Sequence, residues 1–239
     1  MHIKICGITN AVDALQAVQA GATHLGMIFV EKSPRHVTPQ DAEKITAAVA
    51  KRAVLVGVFQ NHSPEAIAEI VVTTGLDAIQ LHGDEDPAFC RSIALRLGKP
   101  VIKTIILGEG NAQSSKLQSD AQALLQKKIA DYSCRQEQVA YLLFDRAKGQ
   151  TNEQWLRSAL AQISSLEKQN DFTLPPYFFA GGLTVENIGA AISTIKPFGF
   201  DVASGVEASV GKKDPALVKA FIAKATSQTA PKEELRSKI

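Results

Sequence analysis

The chain lacks a CxxC pair. Its three cysteines, Cys6, Cys90 and Cys134, are odd in number and far apart. That spacing argues against a disulfide framework or a zinc knuckle, so no metal is expected. It predicts free thiols in a reducing compartment, the cytoplasm. No apolar run approaches the ~20 residues that cross a bilayer, so no membrane partner is expected. A net charge of +2 is too small to suggest nucleic acid as a partner. The first residues, Met1-His2-Ile3-Lys4, lack the apolar stretch of a secretory signal. A strand that begins at about residue 2 is expected to leave no room for a leader. There is no low-complexity tract and no interdomain linker. The G-x-G-x-x-G fingerprint of dinucleotide-binding open sheets is also missing after the first strand, where Cys6 is followed by Gly7, Ile8 and Thr9.

What is present is alternation. The apolar fraction of 45% and charged fraction of 21% are ordinary for a globular chain, and 239 residues suit one α/β barrel. Strand-like apolar runs fall at 2–6, 24–29, 54–59, 78–82, 101–107, 140–145, 177–180 and 200–203. They read as continuous runs rather than alternating ones, as in parallel strands covered on both faces. Helical patterns separate them, with starts marked by Asn10, Thr38-Pro39, Ser63-Pro64, Asp86-Pro87, Thr184 and Asp214-Pro215. Gly21, Gly75 and Gly98 stand where helices end in a left-handed residue. Eight strand–helix units place the chain in the α/β class as a single-domain (β/α)8 TIM barrel over 1–225. Residues 226–239 read as a polar tail or helix end. A doubly wound open sheet is the rival fold.

In such a barrel the residues just after each strand line one mouth, where chemistry is done. Cys6 ends the first strand and reads either as a reactive thiol or as a small packing residue. Lys4 shares its strand face, so it is expected inside the barrel. Asp145 ends Tyr141-Leu-Leu-Phe-Asp145 and reads as a general acid or as a cap. Arg35, stiffened by Pro34, offers a fork for a carboxylate unless it is a solvated surface residue. For His82, a core histidine bonded to backbone is the favoured reading. Gly181-Gly182 and Ser204-Gly205 follow the seventh and eighth strands, the usual phosphate cradle of this fold, and otherwise are tight turns. Lys4, Arg35 and these loops together predict an anionic small-molecule substrate.

These residues carry a resemblance. Lys4-Ile-Cys-Gly-Ile-Thr9, Lys32-Ser-Pro-Arg35, Val56-Gly-Val-Phe59 with Asn61, and Ile79-Gln-Leu-His-Gly83 match one family in order. So do Leu142-Leu-Phe-Asp145, Phe179-Ala-Gly-Gly-Leu183, Asp201-Val-Ala-Ser-Gly-Val-Glu207 and Gly211-Lys-Lys-Asp214. The chain resembles the N-(5'-phosphoribosyl)anthranilate isomerases of tryptophan biosynthesis. The resemblance implies an Amadori rearrangement of an aminoaldose to 1-(2-carboxyphenylamino)-1-deoxyribulose 5-phosphate. It makes Asp145 the general acid and Cys6 the general base. It assigns Arg35 to the anthranilate carboxylate, and the backbone of Gly181, Gly182, Ser204 and Gly205 to the phosphate. His82 and Asp201 lie in the matching stretches and are counted with Lys4 as substrate-binding. It implies no cofactor, because the substrate nitrogen is the electron sink. A monomer or homodimer is expected.

A free thiol has a pKa near 8.5, so Lys4 is expected to supply the field that favours the Cys6 thiolate. Three departures stand out. Gly149-Gln-Thr-Asn152 replaces a more glycine-rich loop, Ala203 stands where serine is common, and the connection 108–138 is long, its helix read as surface decoration or a partial lid. Another sugar-phosphate aldose–ketose isomerase, or a non-catalytic phosphate-binding barrel, are the alternatives.

Overall fold

The computed structural model describes residues 1–108, 115–133, 139–147, 153–169 and 171–227. Eight parallel strands close into a barrel: β1 (His2–Cys6), β2 (His24–Ile28), β3 (Val54–Phe59), β4 (Ala78–Leu81), β5 (Val101–Leu107), β6 (Tyr141–Arg146), β7 (Tyr177–Phe179) and β8 (Gly199–Val202). The last strand pairs back onto the first, with Lys4 opposite Asp201, and this closure rules out the open sheet. The intervening helices are α1 (Ala11–Ala20), α2 (Pro39–Val49), α3 (Pro64–Thr74), α4 (Pro87–Leu97), α5 (Ser115–Ser133), α6 (Glu153–Glu167), α7 (Ile188–Thr194) and α8 (Pro215–Ser227). Residues 228–239 lie outside the described residues, as do the loop 149–152 and Cys134.

The helix starts follow their capping chemistry. Asn10, Thr38, Ser63 and Asp86 each accept a hydrogen bond from the backbone N–H three residues on, satisfying a donor the first turn cannot pair. Asp214 does the same for Ala216 and Leu217. Gly21 ends α1 at φ 106°, a conformation open to glycine.

The exception is α7. It begins at Ile188, not next to Thr184. The Thr184 N–H donates to Asn187 Oδ1 and the Thr184 hydroxyl accepts from Glu186 N–H. These bonds close a turn, so the glycine pair leads into that turn rather than into a helix N-terminus.

Alternate strand residues face opposite ways, and two apolar shells result. The outer shell packs Ile5, Leu25, Phe59 and Ile105 against helix residues such as Ile45, Ile67, Ile93 and Phe221. The inner shell is Val56, Ala78, Ile102, Leu143, Phe178 and Ala180. Full burial of one such aliphatic or aromatic side chain contributes about 1.5–3 kcal/mol. At the N-terminal end of the barrel His2 stacks on Phe198 at 4.1 Å, and His24, Tyr141 and Phe178 close around them. Towards the other end the buried interior becomes polar, with Lys4, Gln80, Thr104 and Asp201.

The helix of the long connection is the barrel's own fifth helix, α5, rather than decoration. Its Tyr132 hydroxyl donates to the Glu85 carbonyl at 2.8 Å, docking its last turn on the loop after β4. Beneath it Lys103 and Glu85 form a buried ion pair at 2.6 Å. After β8 the chain makes a 3-10 turn (Ser204–Val206) and a small hairpin, β9 (Glu207–Ser209) and β10 (Lys212–Lys213), which the sequence pattern does not reveal. Among the described residues no helix is long and apolar enough to cross a membrane.

Candidate active site

A cavity of about 1000 Å³ opens at the carboxyl ends of the strands. Cys6, Arg35, His82, Asp145, Gly181, Gly182, Asp201 and Ser204 line it. Two expected members do not. Lys4 lies fully buried beneath the floor. Gly205 sits behind the wall, where an added Cβ would fall 1.9 Å from the Leu183 carbonyl oxygen, so only glycine lets the loops after β7 and β8 pack this closely.

The floor is built on β1. Lys4 donates to Asp201 Oδ1 at 3.0 Å, and its charge acts on the neighbouring Cys6 thiol. Burial pulls against the Lys4 charge, but Asp201 and Cys6 outweigh it and raise Lys4 to about 12. Lys4 is therefore a fixed cation under Cys6. Gly26, opposite Cys6 on β2, makes room for both side chains. A Cβ there would lie 2.7 Å from Cys6 Sγ and 3.0 Å from Lys4 Nζ.

The expected thiolate is only half supported. Burial, joined by Asp201, pushes the Cys6 thiol up more than Lys4 and Lys213 pull it down, and its net shift is upward. The Lys4 field exists, but desolvation outweighs it.

Asp145 is also pushed up by burial, against the Arg146 N–H that donates to its Oδ1 at 2.8 Å. A carboxyl raised in this way holds its proton to higher pH and can donate it. His82 lies beside it, Nε2 3.8 Å from Asp145 Oδ2. Its Nδ1 lies 3.2 Å from both Gln80 Nε2 and Thr104 Oγ1. Burial, then Lys4, lowers the His82 pKa, so the ring is neutral near pH 7. The histidine is thus a half-buried mouth residue held by side chains, not the backbone-bonded core residue favoured from sequence.

Arg35 is half-buried and held in place. Its Nε and Nη2 donate to the two oxygens of Glu207, each at 2.7 Å. The buried Lys213 donates to Glu207 Oε1 at 3.0 Å and to the Ala203 carbonyl at 2.9 Å. Burial works against the Glu207 charge, but Arg35 and Lys213 hold its carboxyl below the usual range.

The glycine turn after β7 has the backbone that a close anion contact requires, with Gly181 at φ 94° and Gly182 at φ 70°. Asn187 Nδ2 pins it through the Gly182 carbonyl at 2.8 Å. The Arg146 guanidinium lies against it, Nη1 3.1 Å from where a Gly182 Cβ would stand.

Glu207, Lys213 and Arg146 are the site residues that sequence reasoning passed over. Glu207 and Lys213 stood inside matched stretches, but a loop carboxylate and the second of two adjacent lysines look solvated until the hairpin folds back. Among the described residues no cluster of His, Cys, Asp and Glu could hold a metal ion.

Comparison with known proteins agrees with this geometry. The family model for N-(5'phosphoribosyl)anthranilate (PRA) isomerase matches residues 3–224. A curated relative of that name from Paracoccus denitrificans is 36% identical over 231 residues, covering 95% of this chain and 98% of the relative. The crystal structure of phosphoribosyl anthranilate isomerase from Thermotoga maritima superposes with a TM-score of 0.78 at 32% identity, over 95% of this chain and 99% of that one. A crystal structure of a phosphoribosyl anthranilate isomerase in complex with reduced 1-(O-carboxyphenylamino)-1-deoxyribulose 5-phosphate has a TM-score of 0.72 at 32% identity, with the same coverage. A match that spans the barrel from its first strand into α8 leaves no part of the fold unaccounted for, and the chain belongs to the N-(5'-phosphoribosyl)anthranilate isomerase family.

Proposed function

We propose that Cys6 and Asp145 are the base and acid of the family's isomerisation, the Amadori rearrangement of N-(5'-phosphoribosyl)anthranilate to 1-(2-carboxyphenylamino)-1-deoxyribulose 5-phosphate. The observation that carries these roles is one cavity holding a proton-retaining carboxyl, a thiol above a buried ammonium, an arginine fork and a glycine turn.

Asp145 gives its proton to the furanose ring oxygen. The C1'–O bond breaks, and the lone pair of the anilino nitrogen forms the C=N bond of a Schiff base. Cys6 thiolate then takes the C2' proton. The C–H electrons become a C1'=C2' double bond, neutralising the nitrogen. Protonation at C1' and loss of the hydroxyl proton at C2' give the ketone. The neutral His82 stands beside Asp145 without contributing a charge that would lower its pKa. Lys4 lies close enough to favour the thiolate as it forms.

The substrate's two anionic ends suit the two remaining features. Arg35 faces the carboxylate, and the turn at Gly181-Gly182 with Ser204 receives the phosphate, with Arg146 at its rim. Gly205 contributes by permitting the packing of that loop. This assignment is consistent with a phosphorylated small molecule as the sole ligand, and with a cytoplasmic enzyme that acts as a monomer or homodimer.

The test is turnover. Substrate formed in situ from anthranilate and phosphoribosyl pyrophosphate loses its anthranilate-type emission on isomerisation. Rapid emission decay with stoichiometric product supports the reading. No decay with folded protein rejects it.

A further inference from the structure

We propose that Glu207 is a positioning residue that aims Arg35 at the substrate carboxylate and so sets the preference for N-(2-carboxyphenyl) aminoaldoses over uncharged N-aryl ones. The inference rests on the functional reading above.

Arg35 arrives at the cavity on a loop, a poor platform for a long side chain with about 2 kcal/mol of rotamer entropy. Two contacts make it rigid. Its stem crosses directly over Gly7, the residue after Cys6, where a Cβ would lie 2.6 Å from Arg35 Cδ. Its head is then caught by Glu207 in a two-bond fork, Nε and Nη2 each at 2.7 Å. A guanidinium has five N–H donors in one plane. Glu207 takes the Nε–Nη2 edge. That leaves the Nη1–Nη2 edge, which is the other edge able to grip a carboxylate bidentately.

Glu207 can act this way because it is itself held. Lys213 Nζ and Gly211 N–H donate to its Oε1 at 3.0 and 3.3 Å. The hairpin carrying it is tied to the barrel by Thr9, whose hydroxyl donates to the Gly211 carbonyl, and by Asp13, which accepts from Lys213 N–H at 2.8 Å. Arg35 and Lys213 against one Glu207 leave a single net positive charge in a largely buried group. One carboxylate neutralises it. An uncharged ring at the same place leaves that charge desolvated without a partner.

The experiment measures binding by calorimetry of two ligands, reduced 1-(2-carboxyphenylamino)-1-deoxyribulose 5-phosphate and its phenylamino counterpart without the carboxyl group. The proteins are wild type, E207Q, R35M and R35M/E207Q, with KM and kcat measured alongside. E207Q is expected to bind the carboxylated ligand about tenfold more weakly or worse, because loss of the two-bond fork that holds the guanidinium outweighs the positive charge it uncovers. It should bind the counterpart within about twofold of wild type, and its KM should rise far more than its kcat falls. In the R35M background the E207Q change should cost nothing further, because Glu207 acts through Arg35. If E207Q does not fold, E207Q/K213M carries the same expectation without a buried unpaired lysine. Equal weakening of both ligands, or an E207Q effect that persists in full beside R35M, overturns the proposal. A folded wild type that neither turns over the aminoaldose nor binds either ligand overturns the functional reading instead.

Discussion

Lys4 stands two residues before Cys6 on the same face of β1, where its ammonium donates to the Asp201 carboxylate at 3.0 Å and acts on the Cys6 thiol through its charge. The thiol therefore sits in opposed fields: burial and Asp201 push its pKa up, while Lys4 and Lys213 pull it down. Removing the ammonium removes a stabiliser of the thiolate. In Lys4→Met the midpoint of Cys6 alkylation against pH is expected to move upward from a wild-type value already above the usual thiol range. An unchanged midpoint would show that Lys4 does not tune this thiol.

The same balance shapes the pH dependence of turnover. The active form carries a protonated Asp145 and a Cys6 thiolate, although Cys6 is the weaker acid. It is therefore a minority species, with a constant population between the two apparent pKa values. A plot of kcat/KM against pH is expected to be bell-shaped. Its acid limb lies above the ordinary carboxylate range and its alkaline limb above the ordinary thiol range, since both groups are shifted up. Lys4→Met should move the alkaline limb higher and lower the plateau. A limb near the ordinary carboxylate pKa would contradict the raised Asp145.

At the opposite end of the barrel, His24 is buried against Phe178 and Phe198, and burial, then His2 and Lys4, lowers its pKa to about 4. An unfolded histidine titrates near 6.5. Between those values the unfolded chain binds more protons, so folding stability falls as pH drops through that window. The loss from this one group reaches about 3 kcal/mol by its lower end and is absent above pH 6.5. Urea unfolding between about pH 7 and pH 4.5 reads the slope. His24→Gln should flatten it, and an unaltered slope would assign the acid sensitivity elsewhere.

Lys103 and Glu85 are buried together between the sheet and the helices, and Glu85 also accepts from the backbone N–H groups of Asn61 and Gly83. Lys103→Met leaves a buried carboxylate with one partner lost, and is expected to destabilise the fold by about 3 kcal/mol or more. Adding Glu85→Leu should recover only part, since the two backbone donors then lose their acceptor. Equilibrium unfolding in urea checks both. Full recovery in the double variant would mean that the two loops do not depend on Glu85.

Much of this was legible before folding. Capping residues act locally, so Asn10, Thr38-Pro39, Ser63-Pro64 and Asp86-Pro87 marked helix starts correctly. Cys6 and Asp145 were legible because a polar group at the end of an apolar run has few places to go in a parallel barrel. Thr184 misled because its bonds with Glu186 and Asn187 close a turn, and α7 starts only after that turn, at Ile188. Glu207 and Lys213 were illegible as partners of Arg35, because the pairing spans 172 residues of sequence and depends on a hairpin with no strong local signal. Nor could the strand pattern weigh burial against the Lys4 field at Cys6, which depends on how completely the barrel excludes water.

The most direct measurement is the emission progress curve for wild type beside Cys6→Ser and Asp145→Asn, with circular dichroism on each. A serine hydroxyl resists deprotonation far more than a thiol, and an asparagine has no proton of suitable acidity to give. The expected result is rapid decay in wild type and a loss of at least about a hundredfold in each variant, as removal of a general acid or base produces, with folded spectra throughout. Near-wild-type decay in either folded variant would contradict the assignment of Cys6 and Asp145 as the base and acid of this barrel.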